Sequence, residues 1–217
     1  ISNLKNSGFV LPKPPTEKPL DEDLFEPYSG KFAPYLQRRG VTIDTGKRWG
    51  VGVDQVRCRA LIPVRDIQGA LWGGVGRSYV NEKPKYLNYW NMKKGQHLLG
   101  AHLIKRAATT VVVEGSIDAL LCDQVIHDRG LSDEYNIVSI LGSSVSKAQA
   151  KKLIACSLEV ILALDADDAG KAGAVKSYKL LSKSIMTKTA HLSKVGRKDF
   201  GECTPEEVIQ VITSANL

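Results

Sequence analysis

The residues that invite chemistry are six carboxylates: Glu114 and Asp118 in "VVVEGSIDALL", Asp165 and Asp167 in "VILALDADDAGKAGA", and Asp199 and Glu202 in "GRKDFGE". Each has an ordinary alternative. Glu114 could simply end a strand, and Asp167 or Asp168 could cap a helix. Together they pose an electrostatic problem, because clustered like charges repel and raise one another's pKa values unless a cation sits among them. Magnesium or manganese suits such a set. These hard ions take oxygen ligands and keep waters that phosphate oxygens can replace. Two such ions would serve an in-line displacement in which a hydroxyl attacks a phosphate and pyrophosphate leaves.

The elements that must bring these acids together are strands alternating with helices. From Thr109 onward the short β-rich runs "TTVVVEG", "NIVSILG", "EVILALD" and "KTAHLSKV" alternate with helical segments. Those helices begin near Ser116, Ser146, Asp168 and Thr204, the last opening a capping box with Pro205 at N1 and Glu207 at N3. This alternation predicts a parallel, doubly wound sheet, whose ligands bind beyond the carboxyl ends of the strands. If strand geometry continues past the third strand, Asp165 and Asp167 face the same way, because side chains alternate with period two. Asp168 is then the residue that starts the helix.

Upstream the composition changes. Residues 1–108 carry 18 Lys+Arg against 9 Asp+Glu, whereas residues 109–217 carry 12 against 14. A basic lobe joined to a mildly acidic one suits a protein that holds a polyanion on one side and metal ions on the other, although a solvated lysine-rich surface would look the same. Residues 1–23 are Pro-rich and then acidic and read as a linker or arm. A smaller basic α+β region follows over 24–108, with a short helix at "GKFAPYLQRRG" and β-type runs at "WGVGV", "CRALIPVRD" and "GALWGGVGRSY". Gly73, Gly74 and Gly76 suggest bulges or close backbone approach. Residues 109–217 form the parallel-sheet region. The scattered cysteines Cys58, Cys122, Cys156 and Cys203 lack zinc-site spacing and read as reduced thiols of a cytoplasmic protein. No apolar run is long enough to span a membrane. Ile1 in place of a starting Met suggests a piece of a longer chain.

The quoted acidic segments, with "SILGSSVSKAQAKKL", resemble the successive motifs of a Toprim domain. Further upstream, "YLQRRGVT", "LIPVRDIQGALWGGVGR", "KPKYLN" and "MKKGQHLLG" resemble, in the same order, the segment preceding Toprim in DnaG-type replicative primases of bacteria and phages. The resemblance covers about Ala33 to Glu207. It implies an α/β fold of Toprim type behind a basic subdomain, and synthesis of RNA primers from ribonucleoside triphosphates on single-stranded DNA. A replicative helicase is a further partner it implies. By resemblance Glu114, Asp165 and Asp167 are the catalytic acids, with Asp118 and Asp199 as further metal-binding acids. Arg77, Lys85 and Lys94 line the nucleotide and template path, to which the sequence adds Arg65 and Asn88. Arg38 and Arg39 stand equally well as template contacts or surface charge. Tyr86 and Trp90 could stack on a base or pack in the core. The sequence departs from cellular primases at Gly201, where a second aspartate is common, and Glu202 follows one place later. Two other readings use the same residues: a Toprim nuclease, and a non-catalytic module that binds single-stranded DNA.

Overall fold

The computed structural model describes residues 18–80, 82–106 and 108–217. Most of the expected N-terminal arm lies outside the described residues. Its last part is docked: Leu20 donates its N–H to the Leu71 carbonyl, and a 3₁₀ turn follows at Glu22–Leu24.

The first region is an antiparallel meander. Two short helices, α1 (Pro34–Arg38) and α2 (Ile43–Arg48), precede β1 (Gly52–Asp54), β2 (Arg59–Arg65), β3 (Leu71–Ser78) and β4 (Tyr86–Tyr89), which pair in that order. The sequence predicts α1 but not α2, a helix capped by the Thr42 side chain, which accepts from the Thr45 N–H. The Asp66 to Gly69 turn closes the β2–β3 hairpin as its residue types suggest. Gly73, Gly74 and Gly76 lie in β3 itself, and the register irregularity falls instead between Val64 and Arg65. Close approach is what those glycines serve: a β-carbon at Gly73 would lie 2.5 Å from Met92.

The second region is a parallel sheet in the order β6-β5-β7-β8, formed by β5 (Thr109–Val113), β6 (Tyr135–Ser139), β7 (Glu159–Leu162) and β8 (Thr187–Thr189). Its helices are α3 (Ser116–Asp128), α4 (Lys147–Cys156), α5 (Asp168–Leu181) and α6 (Pro205–Thr213). Alternate β5 residues serve opposite faces: Val111 and Val113 join the core shared with α3 and α6, and Val112 joins the core with Leu153 of α4 and Leu181 of α5. Both faces are buried, which is why β5 is a nearly continuous run of apolar and β-branched residues. The fourth strand is shorter than the sequence suggests. After Thr189 and Ala190 the chain turns into a 3₁₀ segment at Leu192–Val195.

The two regions share one core, which runs from Leu36, Trp49 and Ile62 through Ile117 and Leu120 of α3. Polar ties fix their registration. Asp123 of α3 accepts from Arg48 and from the Trp49 indole, and Gln124 bonds both Thr42 N and the Gly40 carbonyl. No helix among the described residues is long and apolar enough to cross a membrane.

Candidate active site

Strand order dictates where the site lies. The chain leaves β5 to one side for β6 and returns on the other side as β7, so the topological switch point falls between the carboxyl ends of β5 and β7. Glu114 follows β5 directly, and Asp165 lies three residues past β7. Glu114 Oε1 accepts the Asp165 backbone N–H at 3.2 Å, which ties the two strand ends together. Gly170, in the first turn of α5, makes this closeness possible. A β-carbon there would lie 2.2 Å from the Asp165 carbonyl oxygen and 2.7 Å from Glu114 Oε1.

Asp118 sits in the first turn of α3, and its Oδ1 accepts the Gly201 N–H at 3.2 Å. The segment after β8 thereby brings Asp199 to the same edge. A β-carbon at Gly201 would lie 2.8 Å from Arg39 Nη2, 3.0 Å from Asp199 Oδ1 and 3.5 Å from Asp118 Oδ1. Those groups converge on the glycine, so any side chain at this position would meet a guanidinium and two carboxylates.

The electrostatics follow from this crowding. Burial first, and then the charges of Glu114, Asp118, Asp199 and Asp167, push Asp165 up to about 7. Burial also raises Glu114, with Asp167 and Asp118 adding to the effect and the Asp165 N–H opposing it. Asp118 is raised by burial and by Asp199, against the pull of the Gly201 N–H and Arg39. Asp199 Oδ1 is buried with no hydrogen-bond partner. A buried orphan acceptor among mutually repelling acids is a site that a cation would satisfy. Among the described residues no three such side chains form a ready-made coordination cage.

The Asp-x-Asp pair is arranged differently from the period-two expectation. β7 ends at Leu162, so strand alternation does not reach Asp167. Asp167 is the N-cap of α5, its Oδ1 accepting the Gly170 N–H at 2.8 Å, while Asp168 is exposed and caps nothing. The helix starts at Asp168 as the sequence suggests, but the cap belongs to Asp167 and not to Asp168. Asp167 borders a neighbouring hollow with Lys198 and Glu202. Glu202 is engaged there, accepting the Lys198 N–H at 2.9 Å.

Facing the acids is a cleft of about 440 Å³ lined by Glu114, Asp118, Asp165 and Asp199 on one side and by Arg39, Lys85, Tyr86, Asn88 and Lys94 on the other. Lys85, Asn88 and Lys94 are thus brought to the acids. Arg77 stands behind them, in β3 rather than in a turn. Its Nε donates to the Tyr35 hydroxyl at 2.9 Å, and its guanidinium lies 5.4 Å from the Tyr35 ring centroid and 5.0 Å from that of Tyr86. Arg77 Nη1 is buried without a partner. Arg65 does not join the group. It ends β2, where Glu22 and the Gly69 carbonyl take its guanidinium.

Arg39 reaches the cleft because α1 ends beside Asp118, a long-range placement that "LQRRG" alone does not reveal. Tyr86 is 40% exposed on the cleft wall, whereas Trp90 packs with Phe25, Tyr28 and Tyr89. Tyr86 thus stays on the cleft wall with Arg77 and Lys85 5.0 and 5.9 Å from its ring centroid, and Trp90 takes the core role.

Residues 111–204 match the Toprim-like family model. A DNA primase of Clostridium acetobutylicum is 34% identical over 134 residues, covering 59% of this chain and 21% of that protein. A DNA primase of Thermotoga maritima is 33% identical over 149 residues, covering 65% and 25% respectively. The chain therefore spans about a fifth to a quarter of the length of these curated relatives. Among solved structures, a DnaG primase catalytic domain bound to single-stranded DNA superposes with a TM-score of 0.73 at 20% identity, covering 89% of this chain and 77% of that one. In strand order and in its relatives the chain is similar to the DnaG-type primases, and its parallel sheet has the Toprim fold.

Proposed function

We propose that the chain is the catalytic core of a primase, joining ribonucleoside triphosphates into short RNA primers on single-stranded DNA. The observation that carries this reading is the single cleft in which Glu114, Asp118, Asp165 and Asp199 face Arg39, Lys85, Asn88 and Lys94. One wall suits a polyphosphate's cations and the other its oxygens.

Glu114, raised above the ordinary carboxylate range, is suited to accept the proton of an attacking 3′-hydroxyl. Asp165, Asp199 and Asp118 would hold magnesium or manganese, with Asp167 contributing charge from the adjacent cap. Bound there, such an ion would neutralise the charge that develops on the phosphoryl oxygens. Lys85 and Lys94 would neutralise the incoming triphosphate, with Asn88 donating or accepting a hydrogen bond. Arg77, fixed between two tyrosine rings, would meet the template backbone. Binding of template DNA through such cations should weaken steeply with salt.

The test is incorporation of labelled ribonucleotides on single-stranded DNA, with Asp165→Ala, Asp167→Ala as the control. Synthesis should require a divalent ion and vanish in the double variant. Unimpaired synthesis by that variant would overturn the mechanism. Cleavage of DNA in the presence of Mn²⁺ without nucleotides would favour a nuclease instead.

A further inference from the structure

Of the three cleft cations, Arg39 caps α1 and Lys85 directly precedes β4, whereas Lys94 adjoins neither a strand nor an α-helix. It sits in a 3₁₀ turn of three residues, Lys94–Gln96, between β4 and the parallel sheet. So short a turn has little rigidity of its own. Its position is set from the other side of the cleft by one buried side chain.

Gln149 is the N3 residue of α4 and is 1% exposed. In its capping box the side-chain oxygen Oε1 accepts the Ser146 N–H at 3.0 Å, while Gln149 N donates to Ser146 Oγ at 3.1 Å. An N3 glutamine needs only its oxygen for that task, and its amide nitrogen could face water. Here Nε2 turns inward to three backbone carbonyls: Lys94 O at 3.2 Å, His97 O at 2.8 Å and Ile140 O at 3.0 Å. The first two bracket the 3₁₀ turn, and the third belongs to the segment leaving β6. Flipping the amide would set an oxygen against three carbonyls and a nitrogen against an N–H, so the surroundings fix its orientation. Ser146 Oγ adds a tether, donating to the Gly95 carbonyl. The turn is thus pinned at Lys94, Gly95 and His97 by the N-terminus of α4.

The pinning has a target. Lys94 lines the cleft with Leu141 and Gly142, and its Nζ lies 3.9 Å from where a β-carbon of Gly142 would stand. The loop after β6 therefore serves as the bed for the ammonium group, and Gln149 joins that bed to the turn that delivers it.

We propose that Gln149 is the positioning residue for Lys94, with Ser146 as its auxiliary. Through it the parallel-sheet region holds a cation of the opposing wall at a fixed height over the acidic edge. The catalytic half of this inference rests on the primase reading; the structural half does not.

Gln149→Leu keeps a side chain of similar size and removes both the Nε2 donor and the Oε1 acceptor of the capping box. Steady-state incorporation should show kcat/KM for the ribonucleotide falling about tenfold, since small misplacements of a substrate-contacting group are costly. In a Lys94→Ala background the same substitution should cost less than twofold, because the group it positions is gone. Amide hydrogen exchange over residues 93–97 should quicken in Gln149→Leu by more than it does over β5 and β7, beyond the general loss of stability that the melting temperature records. An equal fold-loss in both backgrounds, or unchanged exchange at 93–97, would overturn the proposal. If Gln149→Leu does not fold, Ser146→Ala replaces it in the same cycle. A loss confined to the Lys94 background supports the positioning role, and equal losses reject it. A parent protein without any synthesis would sink the primase reading alone, and the exchange experiment would still decide whether Gln149 holds the turn.

Discussion

The two walls of the cleft are built on different principles. On the acidic wall the backbone does most of the placing: Glu114 follows β5 and Asp165 lies just past β7, two positions that a parallel sheet with a switch point must deliver to one edge. Asp199, ten residues beyond β8, is brought there by the bond from Gly201 N–H to Asp118. On the basic wall Arg39 stands at a helix C-cap, Lys85 directly precedes β4 and Lys94 sits in a 3₁₀ turn. Their placement depends on side-chain ties such as Asp123 to Arg48, Gln124 to Gly40 and Gln149 to Lys94. Topology sets the chemistry of one wall, and packing between regions sets the reach of the other.

The contrast is tested most severely at Glu114. Gln at this position keeps an oxygen for the Asp165 N–H, so the strand ends should stay joined and the fold should survive. What is lost is the proton acceptor and one negative charge. Ribonucleotide incorporation should fall by about 10³-fold, the scale of losing a general base, with the melting temperature nearly unchanged. Activity within tenfold of the parent would mean that the acidic wall's function does not depend on Glu114's charge.

A smaller effect separates the walls by their electrostatic cost. Asp165 is pushed from its ordinary 3.8 to about 7 by burial and by its acidic neighbours. An acid with a raised folded pKa keeps its proton longer in the folded state. Its effect on stability is therefore nil below about pH 4 and becomes a growing penalty as pH rises toward 7. Asp165→Asn should remove that penalty. The cleft is open to solvent, so after screening the gain at pH 8 should be about 1–2 kcal/mol, with none at pH 3. Magnesium should stabilise the parent at pH 8 and do little for the variant, as expected for a ligand that binds only the folded acidic site. Chemical denaturation at the two pH values, with and without the ion, measures this. Equal stability of the two proteins at pH 8 would show that the crowding of the acids carries no energetic cost.

The same division explains what could be read from the sequence. Strand and helix periods are visible from Thr109 onward, and they carry Glu114, Asp118 and Asp165 to one edge, whereas Asp199 depends on the bond between Gly201 and Asp118. The local cap was less legible. Asp167 and Asp168 are both good capping residues, and only the backbone path after Leu162 decides that Asp167 bonds Gly170. Extending period two beyond the strand was the physical error, since alternation ends where the ladder ends. Arg39 stays open between template contact and surface charge because nothing local places α1 beside Asp118, and α2 goes unseen because a six-residue helix containing Gly46 gives almost no periodic signal. Arg65 failed for the opposite reason. A cation beside a glycine turn looks available for phosphate, but a partner 43 residues away in sequence had already claimed it.

Arg65 therefore supplies the finest test of the comparison. It belongs to the basic region by composition and to neither wall by geometry: Nη2 donates to Glu22 Oε2 at 2.7 Å, and Nη1 donates to the Gly69 carbonyl at 2.9 Å. These bonds close the β2–β3 hairpin over the docked segment at Glu22, which is itself held by Leu20 on Leu71. The Glu22 carboxyl is held below its usual range, chiefly by the hydrogen bond from Arg65. Because Glu22 is largely exposed, the pair should contribute less than about 1 kcal/mol. Arg65→Ala should lower stability by that small amount and loosen residues 20–24 in hydrogen exchange. Incorporation kinetics and the salt dependence of DNA binding should not change. A charge that touched nucleic acid would instead reduce the salt slope by about one unit when removed. Such a reduction would put Arg65 on the template path after all and extend the basic wall along β2.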